Sequence, residues 1–223
     1  MNSVTRKEDL PAGERLKITE IFHSLQGEAV SVGIPTVFVR LTGCPLRCRY
    51  CDTSYAFFGG EWMSYDDILA RVAGLGARYV CVTGGEPLAQ KNCPGLLARL
   101  CDAGYAVSIE TSGAFDVGNL DERVTIVMDV KTPASGEAQR NRAENLPMLR
   151  ARDQVKFVIC GREDYEWARD FVAHSETQAE VLFSPSYGQM QPVKLAEWIL
   201  ADKLPVRFQL QLHKLLWGEE AGH

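Results

Sequence analysis

Short apolar segments rich in β-branched residues recur along the chain and alternate with helical patterns. They are mostly apolar throughout, which is typical of parallel strands buried on both faces of a sheet. This strand–helix alternation predicts an α/β fold with a mostly parallel sheet. The segments are TVFVRLT (36–42), YVCVT (79–83), AVSIET (106–111), VTIVMDV (124–130), QVKFVIC (154–160), EVLFS (180–184) and VRFQLQL (206–212).

Helical patterns lie between several of these segments. Ser64, followed three residues later by Asp67, resembles a capping box at the start of the first helix. Pro94 suits the first turn of the second helix. The predicted helices are SYDDILARVAGLG (64–76), NCPGLLARLCDAG (92–104), REDYEWARDFVAH (162–174) and PVKLAEWILADK (192–203).

The length of the chain limits how far a barrel can close. A complete eightfold barrel typically takes about 250 residues, and this chain has 223. We therefore expect an incomplete, open TIM-like barrel of about six mostly parallel strands, with functional groups where the carboxyl ends of the strands meet loops. Residues 1–16 are predicted to be a flexible N-terminus and residues 17–223 a single domain.

The composition argues against several functional classes. The net charge of −5 disfavours a basic surface for nucleic acid. The sequence has no apolar run of the roughly 18 residues that a membrane span needs, and its polar start lacks the apolar region of a secretory signal. We therefore expect a cytoplasmic protein with reduced thiols and with neither a membrane nor a nucleic-acid partner.

Three of the seven cysteines lie within GCPLRCRYCDT (43–53), at Cys44, Cys48 and Cys51. A structural zinc site usually has four ligands, commonly as two separated pairs, and this chain has one tight triplet. Three thiolates on a four-iron cluster would leave one iron open for a small molecule. The other cysteines stand alone in apolar patterns, where buried packing is expected: Cys81, Cys93, Cys101 and Cys160.

The spacing Cys-x₃-Cys-x₂-Cys, with Tyr50 before the last cysteine, resembles the signature of the radical S-adenosylmethionine enzymes. VTGGEP (82–87) resembles the GGE stretch of that superfamily, whose backbone meets the methionyl amine. The resemblance implies a [4Fe–4S] cluster on the three cysteines and an abridged radical S-adenosylmethionine core. It also implies that S-adenosylmethionine binds the open iron and yields a 5′-deoxyadenosyl radical.

From about residue 17, the chain closely resembles the 7-carboxy-7-deazaguanine synthases. This resemblance implies ring contraction of 6-carboxy-5,6,7,8-tetrahydropterin with loss of ammonia, assisted by Mg²⁺, on the route to queuosine. It also implies a homodimer and an electron donor such as flavodoxin or ferredoxin. The motifs that occur in the family's order are IFHSLQGE, CDT, VTGGEP, IETSG, DVKTP, SPSYGQ and LQLHK.

The resemblance assigns roles to individual residues. Thr53 corresponds to a Mg²⁺ ligand, and Arg40 could form a bidentate pair with the substrate carboxylate. The implied substrate-binding residues are Leu25, Gln26, Gly27, Arg40, Thr83 and Glu219, the last of which is followed here by further chain. The implied S-adenosylmethionine-binding residues are Gly85, Glu110, Asp129, Val130, Lys131, Ser184, Pro185, Ser186 and Tyr187.

Two other functions are compatible with a cysteine triplet. The first is a small radical enzyme that installs a glycyl radical on a partner protein. It shares the triplet but does not explain LQGE or Arg40. The second is a non-enzymatic module in which the triplet and His23 or His213 bind structural zinc. Without such a role, His213 is either a site residue or a core histidine with satisfied hydrogen bonds, and we favour the core histidine.

Overall fold

The described residues form nine strands in one open sheet, in the order β3-β1-β2-β4-β5-β6-β7-β8-β9. The computed structural model describes residues 14–218, 220 and 222. The strands are β1 (Arg15–Leu25), β2 (Pro35–Leu41), β3 (Glu61–Ser64), β4 (Tyr79–Gly84), β5 (Ala106–Thr111), β6 (Thr125–Asp129), β7 (Gln154–Ile159), β8 (Glu180–Pro185) and β9 (Arg207–Phe208). The run from β2 through β4 to β9 is parallel, which confirms the predicted open, mostly parallel sheet.

Five α-helices occur in the described part of the chain: α1 (Tyr65–Leu75), α2 (Cys93–Asp102), α3 (Arg162–Ala173), α4 (Pro192–Asp202) and α5 (Leu212–Trp217). The first four confirm the predicted helices. Ser64 caps α1 as expected, because its hydroxyl accepts a hydrogen bond of 3.0 Å from the Asp67 amide. None of the helices in the described residues is long and apolar enough to cross a membrane.

Two antiparallel strands precede the parallel run and were not predicted. β1 pairs with both β2 and β3. It begins at Arg15, and Leu16 is fully buried, so residues 15 and 16 belong to the sheet rather than to a flexible terminus. At the other edge, β9 has only two residues, Arg207 and Phe208, where a longer strand was predicted.

The parallel strands separate an apolar core from a cavity. Successive side chains of a strand point to opposite faces of the sheet. On β2, Val37, Val39 and Leu41 join the apolar core that also contains helix side chains, whereas Phe38 and Arg40 line the cavity. The expectation of strands buried in apolar surroundings on both faces therefore holds for one face, and the other face is partly polar.

Asp153 joins β6 to the start of β7. Its side chain is fully buried and accepts hydrogen bonds from the Ile126 amide at 2.9 Å and from the Arg150 amide at 2.8 Å. The Arg150 guanidinium adds an ion pair at 2.8 Å. These contacts hold together the two strands that carry Asp129 and Lys156 to the cavity.

We expect Asp153→Ala to lower the free energy of unfolding by about 3 kcal/mol, because it leaves buried amide donors unsatisfied and removes the carboxylate that pairs with Arg150. Urea unfolding of the cluster-free protein measures this change. The matched control is Glu166→Ala, which breaks a half-exposed pair with Arg162 on α3 and should change stability by about 0.5 kcal/mol or less. Equal effects of the two substitutions would contradict the prediction.

Candidate functional site

A cavity of about 410 Å³ lies at the carboxyl edge of the parallel strands. The parallel strands β2, β4, β5, β6 and β7 each contribute residues at or near their carboxyl ends, and loops on both sides complete the wall. Most residues assigned from the sequence line this cavity: Leu25, Gln26, Gly27, Arg40, Cys44, Cys48, Cys51, Thr53, Thr83, Gly85, Glu110, Asp129, Lys131, Ser186 and Tyr187. The structure thus brings together motifs that are up to 162 residues apart, Leu25 and Tyr187 being the extremes.

Three assigned residues do not line the cavity. Val130 packs in the apolar core, and Ser184 and Pro185 are buried at the end of β8. The Ser184 hydroxyl is buried without a hydrogen-bond partner among the described residues. Their roles toward S-adenosylmethionine stay predictions. Glu219, assigned to the substrate, lies outside the described residues.

The three cysteines lie on a loop held by backbone contacts. Arg47 donates from its guanidinium to the Cys44 carbonyl at 2.6 Å, and the Cys51 amide donates to the Cys48 carbonyl at 3.2 Å. The Arg49 amide anchors the loop to Ser135 at 3.0 Å. Burial raises the pKa of Cys44, and it raises the pKa of Cys48 to about 11. A metal would therefore have to displace the thiol protons on binding.

The Gly84–Gly85 turn packs directly against the start of the cysteine loop. A Cβ at Gly85 would lie 2.3 Å from the Gly43 carbonyl oxygen and 2.8 Å from the Cys44 Cβ. The Gly85 amide donates to the Leu41 carbonyl at 3.2 Å. A side chain at position 85 would therefore displace the first cysteine, and glycine allows the two motifs to share one wall.

Glu86 stabilises this turn through hydrogen bonds to neighbouring segments. It is fully buried, and its carboxylate accepts hydrogen bonds from the Ser112 amide at 2.6 Å, the Thr111 hydroxyl at 2.9 Å and the Leu88 amide at 2.9 Å. Because the carboxylate is satisfied by these donors, we read it as a structural support of the turn rather than a ligand-binding group.

Arg40 is held by an acidic and two aromatic neighbours. Its Nε donates to Glu20 Oε1 at 2.7 Å, and the Tyr55 hydroxyl donates to the same oxygen at 2.7 Å. The guanidinium carbon is 5.5 Å from the centroid of the Phe22 ring and 5.8 Å from that of Tyr55. Burial raises the pKa of Tyr55 to about 12, which keeps its hydroxyl proton available for donation.

Glu110 links residues assigned to the substrate with those assigned to S-adenosylmethionine. Its two carboxylate oxygens accept hydrogen bonds from Gln26 Nε2 at 3.2 Å and from the Thr83 hydroxyl at 2.9 Å. The Gln26 side-chain oxygen in turn accepts the Glu28 amide at 3.1 Å. Movement of one of these side chains would therefore disturb the others.

A row of alternating charges joins Asp129 and Lys131 to two residues that the sequence analysis missed, Lys156 and Glu28. The Asp129 carboxylate lies 2.9 Å from the Lys131 ammonium and 3.6 Å from that of Lys156, which also forms a close ion pair with Glu28. The Gln211 side chain donates to Glu28 at 2.6 Å. Two signals could have found the missed residues: Lys156 is a charge within an apolar strand, and Glu28 directly follows LQG.

Glu28 and Lys156 keep each other charged. Burial acts to raise the pKa of Glu28, but the charges of Lys156 and His213 and the hydrogen bonds of Lys156 and Gln211 lower it to about 2. Burial acts to lower the pKa of Lys156, and the carboxylates of Glu28 and Asp129 raise it well above its ordinary value. This pair of the wall is therefore ionised at neutral pH.

The segment after β9 closes against the LQG motif. The Leu212 amide donates to the Gly27 carbonyl at 2.9 Å, and a Cβ at Gly27 would lie 2.1 Å from the His213 Nδ1. His213 lines the cavity, which favours the site residue over the core histidine among the two roles that the sequence left open. Lys214, 9% exposed, follows it at the wall.

The donor set fits an iron–sulfur cluster better than a single zinc ion. Within residues 14–218, 220 and 222, no three Cys, His, Asp or Glu side chains converge closely enough to hold one metal ion. Cys44, Cys48 and Cys51 nevertheless line one cavity as free thiols. Such an arrangement suits a cluster, in which each thiolate binds a different iron.

Comparisons with known proteins agree with this geometry. The family profile of the Radical SAM superfamily matches residues 38–133. The 7-carboxy-7-deazaguanine synthase of Chlorobaculum tepidum is 44% identical over 211 residues, covering 92% of this chain and 96% of that protein. The chain belongs to the 7-carboxy-7-deazaguanine synthase family. The member from Koribacter versatilis is 44% identical over 222 residues, covering 92% of this chain and 98% of that protein.

A solved structure agrees with the family. The crystal structure of QueE from Escherichia coli matches with a TM-score of 0.75 at 25% identity, covering 89% of this chain and 95% of that one. Membership of the radical S-adenosylmethionine superfamily implies a [4Fe–4S] cluster and S-adenosylmethionine. Neither the glycyl-radical activase nor the zinc module is favoured by these relatives.

We expect Gly27→Ala to displace His213 and loosen the C-terminal segment of this synthase-family chain, because the added methyl group has no space. Trypsin should then cleave after Lys214 about tenfold faster than in the parent protein. The matched control is Gly74→Ala on α1, where an added Cβ meets nothing within 4 Å. If Gly27→Ala left the cleavage rate at that of the control, the proposed packing of His213 on Gly27 would be wrong.

Proposed function

We propose that this chain is a carbon–nitrogen lyase that contracts 6-carboxy-5,6,7,8-tetrahydropterin to 7-carboxy-7-deazaguanine with loss of ammonia, in queuosine biosynthesis. The observation that carries the proposal is that the cysteine triplet shares one cavity with Gln26 and Arg40. A radical generated at a cluster acts only on a substrate held within reach of it. The names of the relatives support this choice of reaction.

The cofactor end of the cavity would be built from the cysteines and the glycine turn. Cys44, Cys48 and Cys51 would hold the cluster. When bound, the cluster and S-adenosylmethionine supply the radical that abstracts a hydrogen atom from the substrate. The Gly85 backbone and the Glu110 carboxylate would orient S-adenosylmethionine, together with the residues assigned by the family resemblance: Asp129, Val130, Lys131, Ser184, Pro185, Ser186 and Tyr187.

At the other end of the cavity, the substrate would be bound by polar groups that the protein holds in place. Gln26 is only 3% exposed, and its amide is oriented by Glu110 and Glu28, so it suits the donor and acceptor edge of a pterin. Arg40 would pair with the substrate carboxylate. Leu25, Gly27, Thr83 and Glu219 complete the proposed substrate contacts.

Mg²⁺ belongs to the same proposal. The Thr53 hydroxyl lines the cavity and lies 3.8 Å from the Cys51 sulfur. Mg²⁺ prefers oxygen ligands and keeps several waters or substrate oxygens in its shell. Thr53 would therefore hold the ion beside the cysteine triplet, where the ion could also bind the substrate carboxylate.

The partners and location extend the proposal. An electron donor such as flavodoxin or ferredoxin would reduce the cluster, and the chain would act as a homodimer. We place it in the cytoplasm, where the seven cysteines, all free thiols in the structure, would stay reduced. These three points rest on the family resemblance and on thiol chemistry.

One anaerobic incubation tests the reaction. The reconstituted protein is mixed with dithionite, S-adenosylmethionine, Mg²⁺ and 6-carboxytetrahydropterin, and the products are read by mass spectrometry. We expect 7-carboxy-7-deazaguanine over many turnovers without matching loss of S-adenosylmethionine, and slower turnover without Mg²⁺. Formation of 5′-deoxyadenosine alone would overturn the proposed substrate but not the radical chemistry.

We expect Cys48→Ala to abolish turnover and to remove most of the bound iron, because the cluster loses one of its three protein ligands. Iron analysis and the visible absorption of the reconstituted protein check this. The matched control is Cys160→Ala, since Cys160 is half-buried but does not line the cavity. A Cys48→Ala protein with its full iron content would remove Cys48 from the cluster.

A further inference from the structure

Glu20 lies beside Arg40 because the first pair of strands contains an irregularity. Ile18 on β1 pairs with Leu41 on β2, but Glu20 pairs with Arg40, so β1 has one extra residue between them. In a regular antiparallel ladder, Glu20 would lie opposite Val39, whose side chain faces the apolar core. The bulge therefore turns Glu20 to the cavity side of the sheet, where Arg40 points.

The contacts of Glu20 decide which edge of the Arg40 guanidinium is available. Glu20 Oε1 accepts the Arg40 Nε, so the side edge of the guanidinium is occupied. Among the residues that the structure describes, none accepts a hydrogen bond from the Arg40 terminal nitrogens. The Arg40 side chain is 12% exposed and lies at the cavity wall, so these two nitrogens form the edge that a carboxylate can bind with two parallel hydrogen bonds.

Neighbouring groups limit the rotation of this arrangement. The rings of Phe22 and Tyr55 lie near the guanidinium, with centroids 5.5 Å and 5.8 Å from its carbon. The Tyr55 hydroxyl also donates to Glu20 Oε1. Tyr55 belongs to the short 3₁₀ turn Ser54–Phe57, which begins directly after Thr53. Glu20 thus joins β1, β2 and the loop that follows the cysteine triplet.

We propose that Glu20 is a positioning residue that holds the Arg40 guanidinium with its two terminal nitrogens toward the cavity, and so makes the site selective for a pterin that carries a carboxylate. This inference rests on the proposed function, because it assumes that Arg40 meets the substrate carboxylate. Glu20 itself touches Arg40 and Tyr55 and acts through them. Its hydrogen-bond acceptor, rather than its charge alone, performs this role.

Calorimetry under anaerobic conditions tests the proposal with the reconstituted protein, S-adenosylmethionine and Mg²⁺. The probes are pterin-6-carboxylate and unsubstituted pterin, and the readout is the ratio of their dissociation constants. We expect Glu20→Ala to lower the preference for the carboxylate about tenfold, because the guanidinium is free to rotate. Glu20→Gln keeps an acceptor for Nε and should retain the preference to within about threefold.

Two further variants separate positioning from a general structural effect. In an Arg40→Ala background, Glu20→Ala should cause no additional loss, since it acts through Arg40. The matched control Glu180→Ala breaks a similar arginine pair, with Arg207, away from the cavity and should leave the preference unchanged. If Glu20→Ala does not fold, Tyr55→Phe removes one hydrogen bond from Glu20 and should lower the preference about threefold.

The outcomes distinguish this inference from the proposed function. Suppose that the parent protein prefers pterin-6-carboxylate over unsubstituted pterin. If the Glu20→Ala variant, or Tyr55→Phe in its place, then keeps that preference, the positioning role is wrong. The role is also wrong if Glu20→Gln is as weak as Glu20→Ala, or if the loss persists without Arg40. If the parent protein shows no preference for the carboxylate, the proposed substrate contact fails, and the role of Glu20 fails with it.

Discussion

The site depends on one geometric constraint: parallel strands end at the same edge of the sheet, and alternate side chains point to the same face. Five consecutive parallel strands each place a polar residue near that edge on the cavity side: Arg40, Thr83, Glu110, Asp129 and Lys156. The ladder pairs Arg40 with Thr83 and Asp129 with Lys156.

Charges so poorly exposed are costly unless they are paired. The structure pairs them within the protein, through Glu20 for Arg40 and through Glu28 for Lys156, so the wall is organised before any ligand binds.

Close backbone approach is the second requirement, and glycine meets it at two places. The turn at Gly84 and Gly85 lies against the cysteine loop, and Gly27 lies against His213. The first contact joins the cysteine loop to the sheet, and the second joins the C-terminal segment to the LQG motif. The cavity is therefore closed by segments that are distant in sequence, and its shape depends on positions that carry no functional group.

The parts of the fold and site that could be predicted are those whose signals lie close together in the sequence. The cysteine triplet, the GGE turn and the first four helices are each encoded within about a dozen residues, where spacing and periodicity are informative. Glu20, Glu28 and Lys156 were missed because their partners are distant: Glu28 meets a lysine 128 residues away and Gln211 at 183 residues. The bulge that turns Glu20 toward Arg40 has no clear sequence signal either. β1 and β3 escaped prediction because antiparallel strands of mixed polarity near the edge of a sheet lack the continuous apolar run of a buried parallel strand.

The ion pair with Glu20 weakens the attraction of Arg40 for anions and fixes the orientation of its guanidinium. An unpaired guanidinium in this wall would attract any anion that entered the cavity, including one bound in the wrong orientation. The Glu20 carboxylate cancels part of that attraction. It also occupies the Nε edge of the guanidinium, so the two terminal nitrogens are the planar pair of donors that a ligand can reach. Charged groups in binding sites contribute to specificity more dependably than to raw affinity. A cavity that must hold a substrate beside a radical source gains more from a fixed orientation than from tighter binding, because a misplaced substrate would expose the wrong atom to the radical.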